Sequence, residues 1–231
     1  LPMIIPQAGE YLIRYRYECN EQIFSRVYAN ALAAHIIKLY PSVGELCRQW
    51  RNDTINHPLY SDLDKNQQFK DILLEESPWL MEAKNERSQR KNIAALYEEE
   101  RLERQVNAQL RKLLNRQLAQ GGWDWYGCQY FSQFVTNHIV AGCGKMERMG
   151  IWIPEMHYAM KRAIAAMDKA QSKAFEHYCE EKAKYGNAVF PFSETDVQYL
   201  YARSFFDCDT QWLACPYVQN LIKWAVGNIN Q

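Results

Sequence analysis

Apolar residues recur at intervals of three and four along most of this chain, while the alternating Val, Ile and Thr runs that mark half-buried strands are scarce. A chain patterned in this way buries its apolar side chains by packing helix against helix, so the expected fold class is all-α. Its 231 residues suffice for one large domain with a continuous core, and one domain over 1–231 is the default expectation.

The boundaries of the expected helices carry chemical marks. The first is predicted over about 22–40, with Ile23, Val27, Ala31, Ala34 and Leu39 as the inward stripe and Pro41 as the stop. The pattern continues to Trp50, and beyond a polar loop containing Pro58 a short amphipathic helix is predicted over 66–75. Ser77-Pro78 reads as an N-cap followed by a first-turn proline. A long helix over about 89–119 places Ile93, Leu96, Val106, Leu110, Leu113 and Leu118 inside and a solvated, mixed-charge face outside. Gly121-Gly122 breaks it, and an aromatic loop leads to a helix over about 130–149 that Gly150 ends. A helix from Pro154 to near Gly186 follows, then one capped by Ser193-Glu194-Thr195-Asp196 and running to Phe206, then one from Gln211 onward. That makes about nine helices. The methionine and aromatic stripes along them read as core packing.

Composition excludes several partners. Lysine plus arginine and aspartate plus glutamate each number 27, so no surplus charge is present to condense on nucleic acid or an anionic membrane. Apolar runs fall short of the roughly 20 residues of a membrane span, so no direct membrane contact is expected of these residues. The seven cysteines, Cys19, Cys47, Cys128, Cys143, Cys179, Cys208 and Cys215, form no Cys-x-x-Cys pair and suit an exported protein better than a reduced compartment. An odd number leaves at least one cysteine with another task, and Cys19 is the candidate. The opening Leu1-Pro2-Met3 and the close at Gln231 read as cuts in a larger protein.

In Cys19-Asn20-Glu21-Gln22 a thiol and a carboxamide stand three residues apart at the start of a helix, where side chains at i and i+3 share a face. Attack of the thiolate on the Gln22 side-chain carbonyl with loss of ammonia gives an internal thioester. Such a bond is a stored acylating agent, because a thiol is a far better leaving group than an amine. The four residues alone carry a competing reading: Cys19 as a small buried hydrophobe and Gln22 as a capping side chain.

The string does not stand alone. The run 17–26, Tyr-Glu-Cys-Asn-Glu-Gln-Ile-Phe-Ser-Arg, with Tyr28-Ala29-Asn30 after it, resembles the thioester region of bacterial alpha-2-macroglobulins, relatives of the complement thioester proteins. About a hundred residues later, Gly121-Gly122-Trp123-Asp124-Trp125 and a helix reaching Gly142-Cys143-Gly144 are similar to that family's glycine-aromatic loop and glycine-bearing helix. The run 199–206 is similar to the late helix of the same domain. The resemblance implies an alpha-alpha toroid of helical hairpins, here one thioester-containing domain of a larger multidomain protein in the periplasm or cell envelope. It implies a protease inhibitor and not a turnover enzyme: a protease cleaves a bait elsewhere, the molecule rearranges, and the uncovered thioester acylates the protease. The implied partners are target proteases and neighbouring domains of the same full-length chain.

Glu21 belongs to the matched motif and favours the positive end of a helix. In some complement relatives a histidine on the glycine-bearing helix attacks the thioester first; here that helix carries Asn137-His138. One position is about 100° of helical rotation, so one of the two faces Cys19 and the other does not. Asn137 facing in implies lysine amines as acceptors, and His138 facing in opens the bond to hydroxyls. Tyr17, Tyr28, Trp123 and Trp125 are candidates to shield the bond from water. His35, His57, His157 and His177 lack partners at metal spacing, so neither metal nor cofactor is expected. The rival function is a helical toroid that serves as a non-covalent interaction domain with Cys19 and Gln22 unreacted.

Overall fold

The computed structural model describes residues 18–42, 44, 45, 48, 99–186, 190–206 and 210–229. Among them are seven helices and no strand: α1 (Asn20–Leu39), α2 (Glu99–Asn115), α3 (Gln133–Arg148), α4 (Pro154–Tyr185), α5 (Glu194–Arg203), α6 (Thr210–Ala214) and α7 (Pro216–Ile229). The described residues are all-helical, as the apolar spacing predicts. The expected helix over 66–75, the Ser77-Pro78 cap and the start of the long helix lie outside the described residues, as do Tyr17, Cys47, His57 and Cys208. None of the described helices is long and apolar enough to cross a membrane.

Several boundaries differ from expectation for local reasons. The long helix ends at Asn115, before its predicted end at Ala119, because the chain must turn through Gly121 (φ 99°) and Gly122 (φ 58°). That turn is closed by Leu118 N–H on Gly122 O at 3.0 Å and Gly121 N–H on Leu118 O at 2.9 Å. Gly121 also abuts α4, where a Cβ would lie 2.2 Å from Arg162 O. The last predicted helix is two, α6 and α7, since Pro216 disfavours helical backbone at Cys215 and opens the next helix in the N1 position. The helix after Ser193 stops at Arg203 and not at Phe206. Leu39, expected inside, is exposed, and Ile37 is buried in its place.

Two compact units make up the chain: Leu1–Arg16 with Ala29–Ala108, and Tyr17–Tyr28 with Gln109–Gln231. In the first, Ala34, Ile37 and Leu102 form a small buried cluster with Ala33 against it, and Lys38 pairs with Glu103 at 2.9 Å on its surface.

In the second unit α3 is the central helix, packed on α5 and α4, with α7 against both of those. Ser132 caps α3 by accepting Val135 N–H, and Gly150 in the left-handed region lets Ile151 N–H close back on Met146 O at 2.9 Å. Met156, Met160 and Met167 are buried along α4, the core stripe their spacing predicts. At α5, Asp196 Oδ2 accepts from Ser193 N–H and Oγ–H, while its Oδ1 accepts from the buried Gln171. Tyr199 is fully buried, donates to Asp168 at 2.7 Å and accepts from Trp212 Nε1 at 2.9 Å, tying α4, α5 and α6 together.

Two glycines set the spacing around α3. A Cβ on Gly142 would meet the Phe24 ring of α1 at 2.3 Å, and one on Gly144 would meet Phe205 Cβ, just past α5, at the same distance. Two positions along a helix are about 200° apart, so these glycines seat aromatic residues on opposite faces. Gly144→Ala is expected to lower stability by about 1–2 kcal/mol, because the clash is with a backbone-fixed atom and exceeds the roughly 1 kcal/mol that alanine gains in helix propensity. Urea denaturation checks it; a variant as stable as the wild type would contradict this packing.

Candidate functional site

Cys19 is the N-cap of α1: its carbonyl accepts the first helical bond, from Ile23 N–H at 3.0 Å. Gln22 folds back over the helix start so that its Oε1 accepts Cys19 N–H at 3.4 Å, one half of a capping box. The carboxamide is thus held at the residue that carries the thiol. Cys19 itself is buried, and its Sγ–H is directed at Glu21 Oε2, 3.9 Å away. The other carboxylate oxygen, Oε1, accepts from Ser25 Oγ at 2.9 Å.

The start of α1 is pinned to the glycine-aromatic loop. Asn20, fully buried, donates through Nδ2 to Asp124 Oδ1 at 2.7 Å and to Asp124 O at 2.9 Å, and its N–H donates to Trp125 O at 2.9 Å. Asp124 is buried as well, so its charge has to be satisfied within the protein. Gly127 N–H donates to Oδ1 at 2.9 Å and Gln129 N–H to Oδ2 at 2.7 Å, both from backbone with positive φ. The loop is anchored in turn by Trp123, whose indole donates to Leu113 O at 2.8 Å and whose N–H donates to Thr136 Oγ1 at 3.0 Å.

On the chain just before the thiol, Glu18 takes up a second set of contacts. Its carboxylate pairs with Lys112 at 2.8 Å and Arg26 at 3.2 Å, and its carbonyl accepts from Arg116 at 2.7 Å. The Lys112 hydrogen bond holds the Glu18 pKa below the ordinary carboxylate value, partly offset by desolvation and reinforced by the charges of Lys112 and Arg26.

The adjacent Asn137 and His138 part company. His138 Nε2 lies 3.8 Å from Glu21 Oε1, and its ring stands edge-on to Phe24 at 5.7 Å. Asn137 is buried on another face and donates to Thr195 O, at the start of α5, at 3.0 Å. The glycines account for this. His138 is one helical turn before Gly142, so both lie beneath Phe24, whereas Asn137 is two turns before Gly144 and shares its α5-facing side. Burial lowers the His138 pKa, Glu21 opposes that, and Lys145 adds to it. The imidazole is therefore neutral at pH 7, with a nitrogen lone pair available.

Of the aromatic residues singled out by sequence, Trp123 is fully buried, Tyr28 is half-buried beside Phe24 at 6.3 Å, and Trp125 is partly exposed and stacked on Phe134 at 5.5 Å. Cys143 is a buried thiol whose pKa burial drives upward, so it carries no thiolate. Cys19, Cys128, Cys143, Cys179 and Cys215 are unpaired. Among the described residues no three His, Cys, Asp or Glu side chains gather as a metal site, and His177 only approaches Glu181 at 3.7 Å on an exposed face.

Sequence reasoning passed over Asn20, Asp124 and Glu18. The signal for Asp124 was present: an aspartate followed three residues later by glycine commonly accepts local backbone N–H groups in a turn. Comparison of this chain with protein-family models, curated proteins and solved structures finds no match.

Asp124→Ala strands the buried Asn20 amide and two loop N–H groups, and is expected to lower stability by about 2–4 kcal/mol in urea titration. Loss below about 1 kcal/mol would contradict the anchoring role. For Glu18 the folded pKa lies below the unfolded one, so its stabilisation is present above the unfolded pKa and is lost as pH falls through the folded pKa. Glu18 is about a third exposed and screened by solvent, so Glu18→Gln is expected to lose less than about 1 kcal/mol at pH 7. The difference from wild type should shrink as the solution is acidified below pH 4.5. A difference that persists undiminished at about pH 2, where the wild-type carboxylate is also neutral, would contradict the charge pairing.

Proposed function

We propose that this chain is the thioester-bearing domain of a protease-trapping protein of the bacterial alpha-2-macroglobulin kind, with an alpha-alpha toroid fold and a place in the periplasm or cell envelope. The observation that carries the reading is the return of the Gln22 carboxamide onto Cys19 at the head of α1. Condensation joins Sγ to the Gln22 side-chain carbonyl and releases ammonia. An attacking amine or hydroxyl then takes the acyl group and Cys19 recovers a free thiol, so each molecule acts once and does not turn over. Its covalent partners are the proteases that trigger exposure of the bond, and neighbouring domains of the same chain cover it beforehand.

The position of His138 supports a wider acceptor range than amines alone. Placed against Glu21, which shares a helical turn with Cys19 and Gln22, a neutral imidazole attacks the acyl carbon, and the released thiolate removes the proton from an incoming hydroxyl. Asn137, bonded to Thr195 O, has no part in this.

The same capping contact favours a second reading. A glutamine at the third helical position accepts the N-cap N–H in many unreactive helices, and a domain that keeps the cap without forming the bond would act as a non-covalent interaction module.

Methylamine separates the two. The trapping reading predicts that one methylamine adds at Gln22, that one thiol appears at Cys19, and that Cys19→Ser takes up none, all by mass spectrometry. His138→Ala is expected to lower capture of a hydroxyl such as glycerol by about tenfold or more while leaving methylamine uptake intact. Absence of methylamine uptake by the native full-length protein would leave the interaction module as the standing account.

A further inference from the structure

We infer that Glu21 is the proton shuttle that makes and unmakes the Cys19–Gln22 bond, an inference that rests on the thioester reading proposed above. Its carboxylate stands between the thiol and the imidazole: Oε2 faces the Cys19 thiol at 3.9 Å, and Oε1 faces His138 Nε2 at 3.8 Å while accepting from Ser25 at 2.9 Å. Glu21 precedes Gln22 directly and follows Cys19 by two, so it is carried on the same helical turn as both. A carboxylate that served only the helix terminus would point at backbone N–H groups; this one is turned onto a thiol, a hydroxyl and an imidazole.

Thioester formation needs one proton moved. The thiol must lose its proton before sulfur attacks, and the amide nitrogen must gain one before it can leave as ammonia. Glu21 takes the Sγ proton, sulfur adds to the Gln22 carbonyl carbon, and the resulting carboxylic acid returns that proton to the nitrogen as the C–N bond breaks. Thiol and carboxamide become thioester and ammonia, the carboxylate is regenerated, and no outside reagent is consumed. Run in reverse with an amine, the same group removes a proton from the attacking nitrogen and delivers it to the departing sulfur. Ser25 holds Oε1 in place by donating to it, leaving Oε2 as the oxygen that moves the proton.

The reverse reaction supplies the test. The full-length protein is opened with ammonia, ammonia is removed, and re-formation of the bond is followed by intact mass and by loss of the Cys19 thiol. Glu21→Gln is expected to slow re-formation by about 10²-fold or more, Glu21→Asp to retain much of the rate, and Glu21→Ala to be slow but accelerated by added formate, with folding of each variant checked by circular dichroism. Rescue by a free carboxylate is a result that a purely structural role would not produce. Glu21→Gln re-forming the bond within about threefold of wild type, or Glu21→Ala indifferent to formate, would overturn the shuttle while leaving the thioester standing. A wild-type protein that never loses ammonia would overturn the thioester reading and the shuttle together.

Discussion

The buried bond between the Asn20 carboxamide and the Asp124 carboxylate fixes the start of α1, and everything at the candidate site depends on where that start is. Asp124 is a charge without access to water, held by backbone donors of its own loop and by Asn20 at 2.7 Å. A hydrogen bond to a buried charge is worth about twice a neutral one, and leaving either group unpaired is costly. The residue on one side of Asn20 is therefore the thiol and the residues on the other are Glu21 and Gln22, all placed by one contact that takes part in no chemistry. Glu18 adds a second restraint just upstream. Reactive groups on the first turn of a helix would otherwise fray with it.

The helical class was legible because amphipathic spacing and end signals agree: Ser193 with Asp196, Gly150, Gly186 and Pro154 each mark a boundary that the structure places within a residue or so of expectation. What could not be read was where tertiary contact overrides local preference. Residues 116–119 carry helical spacing, yet the double-glycine turn and the approach of α4 at Gly121 pull them out of the helix. Ile37 and Leu39 lie about 200° apart, on nearly opposite faces of α1. The stripe through Ala31 and Ala34 runs on by three residues to Ile37, so the burial of Ile37 and exposure of Leu39 follow the helical spacing more closely than the expected stripe did.

The site was legible in part for the same kind of reason. Cys19, Glu21 and Gln22 are close in sequence, so a helix brings them together whatever surrounds it. His138 required a long-range fact. The choice between it and Asn137 turned on which glycine faces α1, and that is decided by the aromatic residues, Phe24 and Phe205, that seat against Gly142 and Gly144. Asn20 and Asp124 were invisible as a pair, since their bond spans 104 positions and neither type is unusual where it stands.

The proposed covalent chemistry joins the Cys19 thiol to a carboxamide that already caps the Cys19 backbone N–H. Its most direct test is the mass of the native full-length protein, denatured in acid and measured without added nucleophile, beside that of Cys19→Ser. The prediction is a wild-type mass lower by one ammonia than its sequence requires, with the loss mapped to the peptide containing Cys19 and Gln22, and no such loss in the variant. A wild-type mass equal to that of the unmodified sequence, with Cys19 present as a free thiol, would contradict it.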